Sequence, residues 1–224
     1  DNQGTLWLGT YFGGVNYFNP EYEIYTRYSY SSNEKKGLSN PVVGRTIEDR
    51  DGNLWIGTEG GGLNYYNRRT REFKWYRPQE GRNSISHNNV KALYYDADKE
   101  IIWIGTHLGG LNKLDIRSGH FTHYRMEEGN PNTLPSDIIR DIIPYKSLLI
   151  IATQNGVCLF DPANGQCQQL FKDSKEGKSI KMVADVTFDS EGTLWIAATG
   201  EGVFSYRFDT CRLTNYRHDA TNPN

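Results

Sequence analysis

Five histidines (His87, His107, His120, His123, His218) and three cysteines (Cys158, Cys167, Cys211) are the side chains of this chain best suited to proton transfer, nucleophilic attack or metal ligation. His120 and His123 stand three apart on an extended segment, so they point to opposite faces and cannot easily share one ion. No Cys-x-x-Cys, His-Glu-x-x-His, Gly-x-Ser-x-Gly or phosphate-binding glycine loop occurs. Asp49, Asp51, Asp96, Asp98, Asp189 and Glu191 fall in turns, where such side chains accept backbone hydrogen bonds and shape the chain. No acid–base pair emerges. The expectation is a non-catalytic segment with no cofactor and no metal; a propeller lyase or glycosidase acting through Glu59 or His107 is the least favoured alternative.

Cys158 and Cys167 flank Asp161-Pro-Ala-Asn164, and a hairpin there sets them opposite one another. Two isolated thiols are expected, with a cross-strand disulfide in an oxidising compartment as the alternative. Arg68, Arg69, Arg71, Lys74 and Arg77 read as a solvated edge that discourages strand addition rather than a phosphate site.

The elements that carry these residues are repeats. Leu6-Trp7-Leu8-Gly9-Thr10, Leu54-Trp55-Ile56-Gly57-Thr58, Ile102-Trp103-Ile104-Gly105-Thr106, Leu149-Ile150-Ile151-Ala152-Thr153 and Leu194-Trp195-Ile196-Ala197-Ala198 recur with their second residues 48, 48, 47 and 45 apart. A glycine turn and an apolar residue follow each one. Period-2 alternation divides the second unit into strands at 42–48, 54–58, 62–66 and 72–77, which we term A to D. Strand B is apolar on both faces, so the unit must be sandwiched between neighbours, and its tryptophan suits a wedge between them. The fold class expected is all-β: a β-propeller arc of about five blades, each a four-stranded antiparallel meander, excised from a larger propeller of the seven-bladed type. The chain reads as one propeller segment, 1–224, with a partial blade at 1–28 and blades at 42–77, 90–125, 138–171 and 183–217.

The phrase Asp-x-x-Gly-x-Leu-Trp-Ile-Gly-Thr-x-x-Gly-Gly-Leu-x-x-Tyr of Asp49 to Tyr66 closely resembles the two-component regulator propeller repeat, and Asp189 to Tyr206 carries it with drift. Gly37-Leu38-Ser39-Asn40 and Asn130-Pro131-Asn132-Thr133-Leu134 also look like linkers of that family. The resemblance covers essentially the whole chain. It implies a periplasmic sensor region of a hybrid two-component system, with further blades, a β-sandwich domain, one membrane helix, a histidine kinase, a receiver and a DNA-binding regulator elsewhere in the protein. It also implies oligosaccharide sensing by a homodimer in the full-length protein.

Connectivity then places a site. B–C turns and D-to-A linkers emerge at one end of the strands, and there Tyr11, Phe12, Glu59, His107, Leu108, Gln154, Asn155 and Glu201 vary while their flanks repeat. Aromatic and hydrogen-bonding groups on a constant scaffold suit a sugar, which offers C–H faces and hydroxyls. A protein-interaction scaffold using the same face is the alternative. With 25 basic and 27 acidic residues the net charge is −2, which argues against nucleic acid as a partner, and contact with a membrane is expected only through the separate helix.

Overall fold

The computed structural model describes residues 5–10, 14–19, 24–172, 174, 177 and 180–218. The chain divides into two compact units, Asp1–His123 and Tyr124–Asn224. In the first, β1 (Leu6–Thr10), β2 (Gly14–Asn19) and β3 (Ile24–Tyr28) form a three-stranded sheet. The sheet that follows holds β4 (Val43–Glu48), β5 (Leu54–Thr58), β6 (Gly62–Asn67) and β7 (Glu72–Tyr76). The next holds β8 (Val90–Asp96), β9 (Ile101–Thr106), β10 (Leu111–Asp115) and β11 (Phe121–Tyr124). The second unit has a sheet of β12 (Ile139–Tyr145), β13 (Leu148–Thr153), β14 (Gly156–Phe160) and β15 (Cys167–Gln169). Its other sheet holds β16 (Val183–Phe188), β17 (Leu194–Ala198), β18 (Gly202–Arg207) and β19 (Arg212–Tyr216). Strands pair antiparallel in chain order, the four-stranded meander expected from the repeat.

All five residues of β5 are buried, which requires apolar cover on both faces. Leu54 and Ile56 pack on one side with Val15, Leu38, Tyr66, Phe73 and the ring of Trp7. Trp55 faces the other way, onto Val90, Leu93, Ile102 and Ile104 of the following sheet. In the second unit Ile150 stands at the tryptophan register and packs with Val183, Val186, Leu194 and Ile196. A smaller β-branched residue thus does the wedge's work there. Arg68 is not merely solvated, because its guanidinium lies 5.3 Å from the centre of the Trp7 ring.

The turn aspartates do more than bend the chain. Asp49 accepts through Oδ1 from the backbone N–H groups of Asp51 and Asn53, at 3.0 and 2.9 Å, and through Oδ2 from the Trp55 indole at 3.1 Å. Trp195 donates likewise to Asp189 at 2.8 Å. That indole, aided by the backbone N–H of Thr193, holds the Asp189 carboxyl below the usual carboxylate range. A depressed folded-state pKa stabilises the fold above the unfolded carboxylate's range, and the benefit fades as pH falls through the lowered value.

The inner strand of each four-stranded sheet begins with a break in register. Pairing passes from Val43 to Thr46 in β4, from Val90 to Ala92 in β8, from Ile139 to Asp141 in β12 and from Val183 to Asp185 in β16. Such bulges leave one extra residue unpaired and re-aim its side chain.

Buried asparagines clamp the linkers that lead into two of the sheets. Asn64 accepts from the Ser39 backbone N–H and donates to the Ser39 hydroxyl, both at 2.8 Å. Asn112 does the same to Ser86 at the same distances. Two polar backbones are thereby satisfied in an apolar interior. Asn64→Leu is expected to lower unfolding stability by about 1–3 kcal/mol, because the Ser39 N–H is left buried and unpaired. Urea melts check this, and a loss of only a few tenths would contradict it. The linker into the fourth sheet places Pro135 at the corresponding position, four residues before its inner strand, and proline has no N–H to satisfy. Correspondingly, the asparagine register in β14 is occupied by Cys158.

The cysteines are thiols here, and they are diagonal rather than opposite: Cys158 pairs with Gln169, and Cys167 with Phe160. The expected four-residue turn is longer, since Asp161 N–H bonds to the Gln166 carbonyl and Gly165 takes φ +76°. Those two extra residues shift the pairing by one position on each strand.

Candidate functional site

The residue that leaves each B strand is held the same way. Glu59 donates its backbone N–H to the Val42 carbonyl, His107 to Asn89, Gln154 to Ile138 and Thr199 to Met182, at 2.9–3.1 Å. Thr199, not Glu201, is therefore the equivalent of Glu59. Glu201 stands two positions further on, where Gly61 and Gly109 occur, and it ion-pairs with Arg217 at 3.6 Å. Tyr11 and Phe12 lie outside the described residues.

In the first unit these turns are joined by one linker residue. Asn89 forms a β-bridge with Glu59, and its carbonyl accepts from His107. Lys91, the unpaired bulge residue of β8, donates to the Glu59 carboxylate in a half-buried ion pair. His107 carries a buried Nδ1 with no hydrogen-bond partner. Beside it Leu108 takes φ +74° and is 56% exposed. The corresponding residues elsewhere are Gly60 at φ +102° and Gly200 at φ +82°. A leucine in the left-handed region costs about 1–2 kcal/mol, so this turn holds an apolar side chain in solvent at an energetic cost. Glu59, Lys91, Asn89, His107 and Leu108 thus line one rim, with acceptor, donor and apolar groups together.

In the second unit Met182 plays the joining part: its N–H donates to the Gln154 carbonyl at 2.7 Å and its carbonyl accepts from Thr199. Asn155 points back to its own linker, donating from Nδ2 to the Pro135 carbonyl at 3.3 Å. Two clefts of this unit lie elsewhere. One, of ≈430 Å³, lies at the opposite ends of the strands and is lined by Tyr145, Lys146, Glu191, Arg207, Phe208 and Asp209. Its aromatic rings stack on each other, Tyr145 on Phe208 at 4.3 Å, so their faces are already used. The other, of ≈320 Å³, lies against Trp195 and Tyr216. None of Gln154, Asn155 or Glu201 lines either cleft.

Asn89 and Lys91 carry no sequence signal because a bulge leaves no compositional mark, and Thr199 is passed over because the turn Thr199-Gly200-Glu201-Gly202 has its charged residue two positions further on. His120 and His123 contact Asn83 and the Ser84 carbonyl, respectively. Among the described residues, no three His, Cys, Asp or Glu side chains gather as metal ligands.

Comparisons with known proteins bear on this architecture. A family model, two component regulator propeller, matches residues 37–60 and 84–107. No curated protein matches the sequence. Among solved structures, the extracellular domain of BT3049 from B. thetaiotaomicron, described as a hybrid two component system, is 25% identical with a TM-score of 0.78, covering 96% of this chain and 28% of that one. The extracellular domain of BT4673 from the same organism, described likewise, is 23% identical with a TM-score of 0.76, covering 98% and 30%. PorZ, a surface component of the type-IX secretion system of Porphyromonas gingivalis, shares the fold at 20% identity and a TM-score of 0.68, covering 92% and 31%. The chain thus spans about a third or less of each neighbour's length. No helix among the described residues is long and apolar enough to cross a membrane. The segment is an all-β propeller segment, and two of its repeats match the two component regulator propeller model.

Proposed function

We propose that this chain is part of the extracytoplasmic, periplasmic sensor region of a hybrid two-component system, and that it detects an oligosaccharide at the rim formed by Glu59, Lys91, Asn89, His107 and Leu108. In the second unit, taken by itself, the turn residues Gln154, Asn155 and Thr199 are read in the same way. The observation that carries it is Leu108, an exposed apolar side chain held in a strained turn beside hydrogen-bonding groups. Strain of this kind clusters at ligand clamps, and a sugar's C–H face and hydroxyls match such a mixed surface. Signalling to a transmembrane histidine kinase requires that the ligand bind two arrangements of a dimer with different affinity. The neighbouring blades and downstream domains belong to the remainder of the protein.

Isothermal titration of a broad oligosaccharide panel against the propeller tests the reading. At least one binder is expected, with affinity falling about tenfold or more in Glu59→Gln, which loses a charge-assisted contact, and falling also in Leu108→Gly. Silence across the panel would overturn direct sensing. A protein-interaction scaffold is the second reading, favoured by the solvent exposure of the Leu108 side chain on its turn; pull-down of a stable partner that Leu108→Gly abolishes would support it.

A further inference from the structure

We propose that Cys158 and Cys167 are a cross-strand disulfide site that ties the outermost strand β15 to β14. Both positions depart from the repeat, and independently. Cys158 occupies the register held by buried Asn64 and Asn112, and Cys167 the register held by Phe73 and Leu213. Neither departure is explained by the other as packing, since an amide and an aromatic ring fill different spaces. Together they bring two sulfurs to 3.4 Å on one face of the hairpin, Cys158 fully buried and Cys167 nearly so.

The remaining approach is small, from 3.4 Å to a bond of about 2.05 Å. β15 is three residues long and at the edge of its sheet, with the Cys167 N–H bonded to the Asn132 carbonyl at 2.8 Å, so the side chains must supply most of the approach. Diagonal pairing sets the sulfurs, rather than the backbones, in contact, so rotation about χ1 supplies much of the movement. The oxidant is a disulfide, of a small thiol or of a thiol–disulfide oxidoreductase, as found outside the cytoplasm. One cysteine thiolate attacks a sulfur of that disulfide and displaces its partner thiolate, forming a mixed disulfide. The second cysteine thiolate then attacks the protein sulfur of the mixed disulfide. The protein gives up two electrons and two protons, and the oxidant leaves as two thiols. The hydrogen bond with the Cys167 sulfur, and then burial, push the Cys158 thiol pKa up and keep it protonated in the folded sheet, which makes oxidation of the native thiols slow. The bond therefore forms readily while the hairpin is still open during folding.

The test refolds the chain from denaturant in a buffer of reduced and oxidised glutathione, quenches it with iodoacetamide under denaturing conditions and maps the peptides. A peptide pair joined through Cys158 and Cys167 is expected, with Cys211 unpaired within the chain. In the Cys158→Ala variant Cys167 becomes alkylated. The oxidised protein is expected to melt several degrees above its reduced form, a shift absent in the variant. Recovery of both Cys158 and Cys167 alkylated after refolding, or a link made through Cys211 instead, would overturn the proposal. The glutathione buffer makes this outcome independent of where the protein resides in the cell.

Discussion

Trp55→Ala is expected to remove about 3–5 kcal/mol of folding stability, the largest loss of any single side-chain truncation discussed here. The indole is 2% exposed and fills the space between its own sheet and Val90, Leu93, Ile102 and Ile104 of the next. Truncation opens a cavity that rigid β-sheets cannot collapse into, and it leaves Asp49 Oδ2 with only the 3.4 Å bond from Asn53 Nδ2 in place of the indole N–H. Chemical denaturation would show the midpoint falling with little change in slope. Trp55→Phe should recover part of the loss, since it keeps one six-membered ring and forfeits the fused pyrrole ring with its N–H donor. Equal losses in both variants would show that the hydrogen bond, not the volume, dominates.

Gly62→Ala is expected to cost about 3 kcal/mol or more, from two effects that act together. The residue takes φ +80°, and an added Cβ would stand 2.2 Å from the Tyr76 carbonyl oxygen. Backbone cannot yield as a side-chain tip does, so the β6–β7 pairing itself must open. Gly14 and Gly202 repeat the arrangement, with Cβ positions 2.0 Å from the Tyr28 oxygen and 2.3 Å from the Tyr216 oxygen. Gly81 is the control: it takes φ +69° with nothing within 4 Å, so Gly81→Ala should lose only the conformational part, about 1–2 kcal/mol. Similar thermal shifts in the two variants would count against the clash.

Those glycines and tryptophans are also why the fold was legible from sequence. Each stands at a fixed register where the physics admits few alternatives: a bulky wedge between sheets, or a turn with positive φ against a carbonyl. Repetition at about 48 residues then marks the meander. What stayed hidden depends on register. The extra residues between Phe160 and Cys167 turn an opposite cysteine pair into a diagonal one. The Asn64–Ser39 clamp joins residues 25 apart, neither of which is unusual in its own segment. Proline at 135 and cysteine at 158 make sense only once that clamp is known. At the candidate rim, turn composition pointed to Glu59, His107 and Leu108, but the linker residue Asn89 that joins them and the Lys91 that neutralises Glu59 follow from hydrogen bonds and a bulge, which composition does not encode.

The bulges at the start of the inner strands carry a consequence for how such repeats diversify. Lys91, Arg140 and Ala184 sit outside the ladder, as does one residue of the Gly44–Arg45 step. An exchange at any of these places alters charge and reach without breaking a single inter-strand bond. Recognition chemistry can therefore drift one repeat at a time while the framework keeps its thermodynamic footing, and the variety already present there, a lysine, an arginine and an alanine, is what such uncoupled evolution would leave behind.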